Sequence, residues 1–102
     1  MISEAKYYGR SKTWSGSVDI TLCAEVARFN VVTMTAASKK VNAEDARHFT
    51  SLGGPIYYVR NDGGTNAFGF CDNGGNVIAS VPIGKVLSAF LVDNSTANGT
   101  WR

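Results

Sequence analysis

Glycine-bearing turn signals recur through the second half of this chain, at 53–55 (Gly-Gly-Pro), 62–64 (Asp-Gly-Gly), 73–75 (Asn-Gly-Gly), 82–84 (Pro-Ile-Gly) and 98–99 (Asn-Gly). Each can supply the positive φ of a tight reversal. Between them lie 56–60, 65–71, 77–81 and 85–92, all of strand length and too short for helices that stand alone. Turn signals spaced ~8–12 residues apart predict an all-β sandwich or barrel, traced as a meander of hairpins.

The first half agrees. Val18, Ile20, Leu22, Ala24 and Val26 alternate with Asp19, Thr21, Cys23, Glu25 and Ala27, the period of two of a half-buried strand. Residues 29–35 (FNVVTMT) form a second β-rich run, with Phe29 and Val31 on one face and Val32 and Met34 on the other. Asn42, followed by Glu44 and Asp45, has the form of an N-cap and predicts a helix of one or two turns over 43–48. Residues 85–92 (KVLSAFLV) are apolar on both faces and bracketed by Pro82-Ile83-Gly84 and Asp93-Asn94-Ser95, which predicts a central strand. A last strand over 100–102 would let Trp101 close one end of the core.

Residues 1–16 have neither period. They interleave Tyr7, Tyr8 and Trp14 with Lys6, Arg10 and Lys12 against the single acid Glu4, and are expected to form an N-terminal arm before a sandwich domain over 17–102. With 102 residues there is room for one domain. The net charge of +2 is too small to imply a generic polyanion binder, so no specific nucleic-acid partner is expected. The opening residues lack a signal-peptide core, and no run approaches the ~18–20 apolar residues of a membrane span. A soluble chain made in the cytoplasm, without a membrane partner, is expected.

Candidate chemistry is sparse. His48 is the only imidazole, and Cys23 and Cys71 stand apart from any metal-ligand spacing, so they read as buried reduced thiols. Asp62, Asp72 and Asp93 sit at turn signals, where aspartate bonds its own backbone; they lack EF-hand spacing. The paired glycines precede no helix and do not form a phosphate loop. No catalytic residue, cofactor or metal is expected.

Aromatic side chains offer the better lead. Tyr57, Tyr58, Phe68 and Phe70 crowd two neighbouring strands, and alternation sends Tyr57 and Tyr58 to opposite faces. One of the two must be outward or against a partner, and sequence does not say which. The candidate interface residues are therefore Tyr7, Tyr8, Arg10, Trp14, Tyr57 and Tyr58.

Residues 53–101 resemble small virion proteins of tailed bacteriophages. The elements that carry the resemblance are Tyr58-Val59-Arg60-Asn61 with Gly63, Asp72 with Gly75-Asn76, Pro82 with Gly84, and Asp93-Asn94-Ser95-Thr96 with Gly99 and Trp101; a weaker echo lies in 31–38. The resemblance implies a jelly-roll-like β-sandwich, usually homotrimeric. Its expected role is non-enzymatic: a capsid decoration (cement) subunit in the virion, bound to the major capsid protein or another virion protein and bridging capsomers. The alternative it implies is a tail-tip or fibre module recognising a host glycan or receptor.

Overall fold

The computed structural model describes residues 11–24, 27–49, 55–63 and 66–102. Nine strands occupy them: β1 (Ser11–Gly16), β2 (Ile20–Thr21), β3 (Phe29–Met34), β4 (Lys40–Asn42), β5 (Pro55–Asn61), β6 (Phe68–Cys71), β7 (Val77–Val81), β8 (Val86–Asp93) and β9 (Thr100–Trp101). They form an all-β sandwich of two sheets, ordered β1-β3-β5-β8-β9 and β2-β4-β6-β7.

The connectivity differs from a jelly roll. From β1 to β6 the chain changes sheet at every strand, so that β1, β3 and β5 are parallel neighbours in one sheet and β2, β4 and β6 in the other. These six strands are three turns of a two-sheet coil. Direction then reverses: β7 runs antiparallel to β6, β8 to β5 and β9 to β8. A jelly roll would set antiparallel neighbours throughout.

The hairpin meander is corrected for the same reason. Among the described turns, those at 73–75 and 94–99 join adjacent antiparallel strands, and those around Gly63 and Gly84 carry the chain across from one sheet to the other; Gly53 and Gly54 lie outside the described residues. A turn residue sets local direction, but parallel neighbours cannot be linked by a tight turn, so the connections become arches between sheets.

The last six residues of the expected N-terminal arm are a strand. Residues 11–16 are β1, in register with β3 from Ser11↔Phe29 to Gly16↔Met34. Trp14 is half-buried against the core; its Nε1–H donates to Asn30 Oδ1 at 3.0 Å, and the Lys12 ammonium lies 3.9 Å from its ring centroid. It is a core-edge residue. Tyr7, Tyr8 and Arg10 lie outside the described residues.

The alternation at 18–26 holds in burial over its middle: Ile20, Leu22 and Ala24 are buried, whereas Val18 is 67% exposed. Val26 lies outside the described residues. Regular pairing is confined to β2, extended by Leu22 N–H donating to Asn42 O at 2.8 Å. Beyond it the chain turns, with Ala27 N–H donating to Cys23 O at 3.0 Å. Burial of Ile20 and Leu22, worth about 1.5–3 kcal/mol each, contributes more to holding this two-residue strand than its ladder does.

The helix expected over 43–48 is a single 3-10 turn at Ala46–His48. Its cap is Asp45, whose Oδ1 accepts Arg47 N–H at 2.9 Å, and Asn42 instead ends β4. The core between the sheets is filled by Val32, Met34, Tyr57, Val59 and Leu91 from one side and Val41, Phe70 and Val81 from the other. Trp101 closes one end as expected, packing with Phe49, Tyr57 and Phe70 at centroid distances of 5.7–6.0 Å.

Candidate functional site

Alternation along β3, β5 and β8 decides which side chains leave the core. In β3, Asn30, Val32 and Met34 are buried and Phe29, Val31 and Thr33 face out; in β8, Ala89 and Leu91 are buried while Val86, Ser88, Phe90 and Val92 are exposed. Tyr57 is fully buried, so Tyr58 is the outward tyrosine of β5. The candidate residue Tyr57 is therefore a core residue and not an interface residue.

Register brings the outward residues together. Phe29 and Tyr58 are paired across β3 and β5, and their rings stack with centroids 4.8 Å apart and planes 7° from parallel. One step along, Val31 pairs with Arg60 and Arg60 with Val86. Between these two rows is a depression of about 230 Å³ lined by Phe29, Asn30, Val31, Tyr58, Arg60 and Val86. Val86 is 58% exposed and Phe90 and Val92 are also open, so the apolar surface continues along β8.

The solvent face of an antiparallel or mixed sheet is ordinarily polar. Here, among the described outward residues of β1, β3, β5 and β8, Arg60 is the one charged side chain, its Nε 3.3 Å from Asp62 Oδ1, and the exposed Arg102, paired with Phe90 through two backbone hydrogen bonds, adds a second charge at the β9 edge. The face thus carries aromatic and aliphatic residues on β3, β5 and β8 around the Arg60–Asp62 ion pair, with hydroxyl side chains at Ser11, Thr13, Ser15, Thr33 and Ser88. Hydrophobic surface collected in this way marks an association site. Of the candidate interface residues that are described, Trp14, Tyr57 and Tyr58, Tyr58 alone lies here. Phe29 and Val31 were assigned a common face by alternation, but nothing local in the sequence joins them to Val86, more than fifty residues away.

The titratable residues are engaged elsewhere. Glu44 Oε1 accepts Ala24 N–H at 2.6 Å and the Tyr57 hydroxyl at 2.8 Å, and Oε2 lies 3.3 Å from His48 Nδ1. Burial, reinforced by the Glu44 carboxylate, pushes the Tyr57 hydroxyl far above the ordinary tyrosine range. Asp72 Oδ1 accepts Gly74 N–H and Asn76 N–H, both at 2.9 Å, and Asp93 Oδ1 accepts Ser95 N–H at 3.0 Å; each shapes its own turn. Cys71 is buried, and burial raises its thiol pKa; Cys23 is half-buried and also free.

Among the described residues no group of three or more His, Cys, Asp or Glu is placed to hold a metal ion, and no helix is long and apolar enough to cross a membrane. No family model, curated protein or solved structure matches this chain.

Proposed function

We propose that this chain is a non-enzymatic assembly subunit that works through the outer face of its five-stranded sheet. The observation that carries the reading is the outward row Phe29, Val31, Tyr58 and Val86, of which Phe29 and Val86 are exposed and Val31 and Tyr58 half-buried, continued by the exposed Phe90 and Val92 and interrupted by the charged Arg60. An apolar face of this kind gains free energy by being covered and offers little to orient a polar substrate. Together with the resemblance to small phage virion proteins, it supports a role in capsid decoration: subunits bound to the major capsid protein or another virion protein, adding interface area that resists the pressure of packaged DNA.

The glycan-binding alternative draws less support from the same geometry. A sugar platform needs an open aromatic face, whereas Phe29 and Tyr58 turn faces toward each other.

Co-sedimentation with empty phage shells and, separately, with host cells tests the reading. Shell binding that is lost in Val86→Asp, with the circular dichroism spectrum unchanged, is the expected result. Binding to cells and not to shells would replace decoration by receptor recognition.

A further inference from the structure

We infer that the outer face of the five-stranded sheet packs against the same face of a second copy of this chain, in a closed two-fold pair. The inference rests on reading this face as an association surface and makes its occupant a second copy, so that the species meeting the shell is the pair and Val86→Asp acts on shell binding by breaking it.

Charge complementarity points to a second copy. A two-fold interface requires a patch that complements itself, because residue i meets residue j of the partner while j meets i. Arg60, between Val31 and Val86, and Asp62, just past the end of β5, supply that: opposite charges 3.3 Å apart, with side chains 56% and 50% exposed. Rotated by a two-fold axis, each Arg60 can meet the other copy's Asp62 without leaving a charge of one sign against its like. A strongly acidic or basic partner would instead leave one member of the pair opposed.

Shape and area agree with this. The molecule measures 36 × 30 × 19 Å. The outer face of β1, β3, β5 and β8, four strands at ~4.8 Å spacing and about six residues of ~3.3 Å rise, is roughly 20 Å on a side, largely apolar over β3, β5 and β8 and lined by Ser11, Thr13 and Ser15 on β1. Two such patches with their side-chain relief remove roughly 1,000 Å² from water, the lower bound for a specific interface. Sheets pack face to face through interdigitating side chains, and the Phe29–Tyr58 stack beside the depression at Val31 and Val86 supplies both ridge and groove.

The test is a charge exchange read by mass. Wild type, Arg60→Asp and Asp62→Arg are each followed by sedimentation equilibrium up to about 100 μM, well above a micromolar dissociation constant. Wild type should have twice the chain mass. Each single variant should weaken association at least tenfold, since both copies then present like charges, and an equimolar mixture of the two variants should restore the pair. Near-ultraviolet circular dichroism confirms that each variant is folded. A wild-type monomer throughout this range overturns the inference, and so does a three-fold mass, the number implied by the virion resemblance. Failure of the mixture to recover also overturns it, because the ion pair would then act only within one chain. Shell binding by a protein that stays monomeric would sink the two-fold pair while leaving the assembly role intact.

Discussion

The Tyr57 hydroxyl donates to Glu44 Oε1 at 2.8 Å, and the same oxygen accepts the Ala24 amide at 2.6 Å. One carboxylate, with its side chain 14% exposed, thereby ties β5 to the turn after β2 and to the segment leading into the 3-10 turn. Glu44→Ala strands the buried Tyr57 hydroxyl and the Ala24 amide together, and should lower unfolding free energy by about 2–4 kcal/mol. Tyr57→Phe removes one bond and leaves Glu44 its backbone partner, so about 1–1.5 kcal/mol is expected. Urea titrations of both variants check the order; a larger loss for Tyr57→Phe would contradict it.

Two groups titrate with opposite consequences at the extremes of pH. The Tyr57 pKa is raised in the fold, so its contribution is complete below the unfolded tyrosine value of about 10 and declines as pH rises above it. Wild type should therefore lose stability more steeply than Tyr57→Phe above about pH 10. The Asp45 carboxyl is lowered to about 2, first by its side-chain bond with Arg47 and then by the Arg47 amide. Its contribution is present above the unfolded value of about 4 and is lost as pH falls toward 2. Asp45→Asn should differ from wild type above that window and converge with it below, in stability measured point by point with denaturant.

Leu22 and Thr21 are neighbours with opposite fates, one buried and one exposed. Leu22→Asp places a carboxylate in the core at a cost of several kcal/mol, comparable with the whole stability of a small domain. Thr21→Asp should shift the melting temperature by only a few degrees. Equal melting temperatures would show that the burial pattern of this segment is wrong.

Gly99 has φ +67° between the turn and β9, and a Cβ there would lie 2.5 Å from Ala46 Cβ and 2.8 Å from Asp93 O. Gly99→Ala should cost more than the ~1 kcal/mol of the left-handed conformation alone, because backbone must also move. Gly84→Ala has a similar φ of +78° and open space around it, and should cost only the conformational part. The difference between their denaturation midpoints measures the steric share.

Cys71 is fully buried with a raised pKa, whereas Cys23 is half-exposed. Under native conditions iodoacetamide should label Cys23 well before Cys71, and both should react once urea unfolds the chain. Peptide mass mapping over time reads the order; early labelling of Cys71 would mean that β6 opens locally.

Facing, and the bounds of some strands, were legible in the residues themselves, although the alternation over 18–26 became only the two-residue β2. Turn chemistry bounded β7 and β9, alternation placed Val32 and Met34 opposite Phe29 and Val31, and the Tyr57-Tyr58 step required one outward tyrosine. These are local properties, set by φ preferences and by the two-residue period of the strand. Pairing is not local. A period of two says which face a side chain takes but not which strand lies beside it, so the parallel coil of β1 to β6 had no signature. The polar sequence of Ser11–Gly16 likewise became β1 only because β3 offered it an edge. Tertiary structure alone decided that Tyr58 is the outward member, and that Phe29, Tyr58 and Val86, drawn from three distant segments, share one surface. That surface exists only once the register of β3, β5 and β8 is fixed, because it is a sum of contacts between strands that no single segment contains.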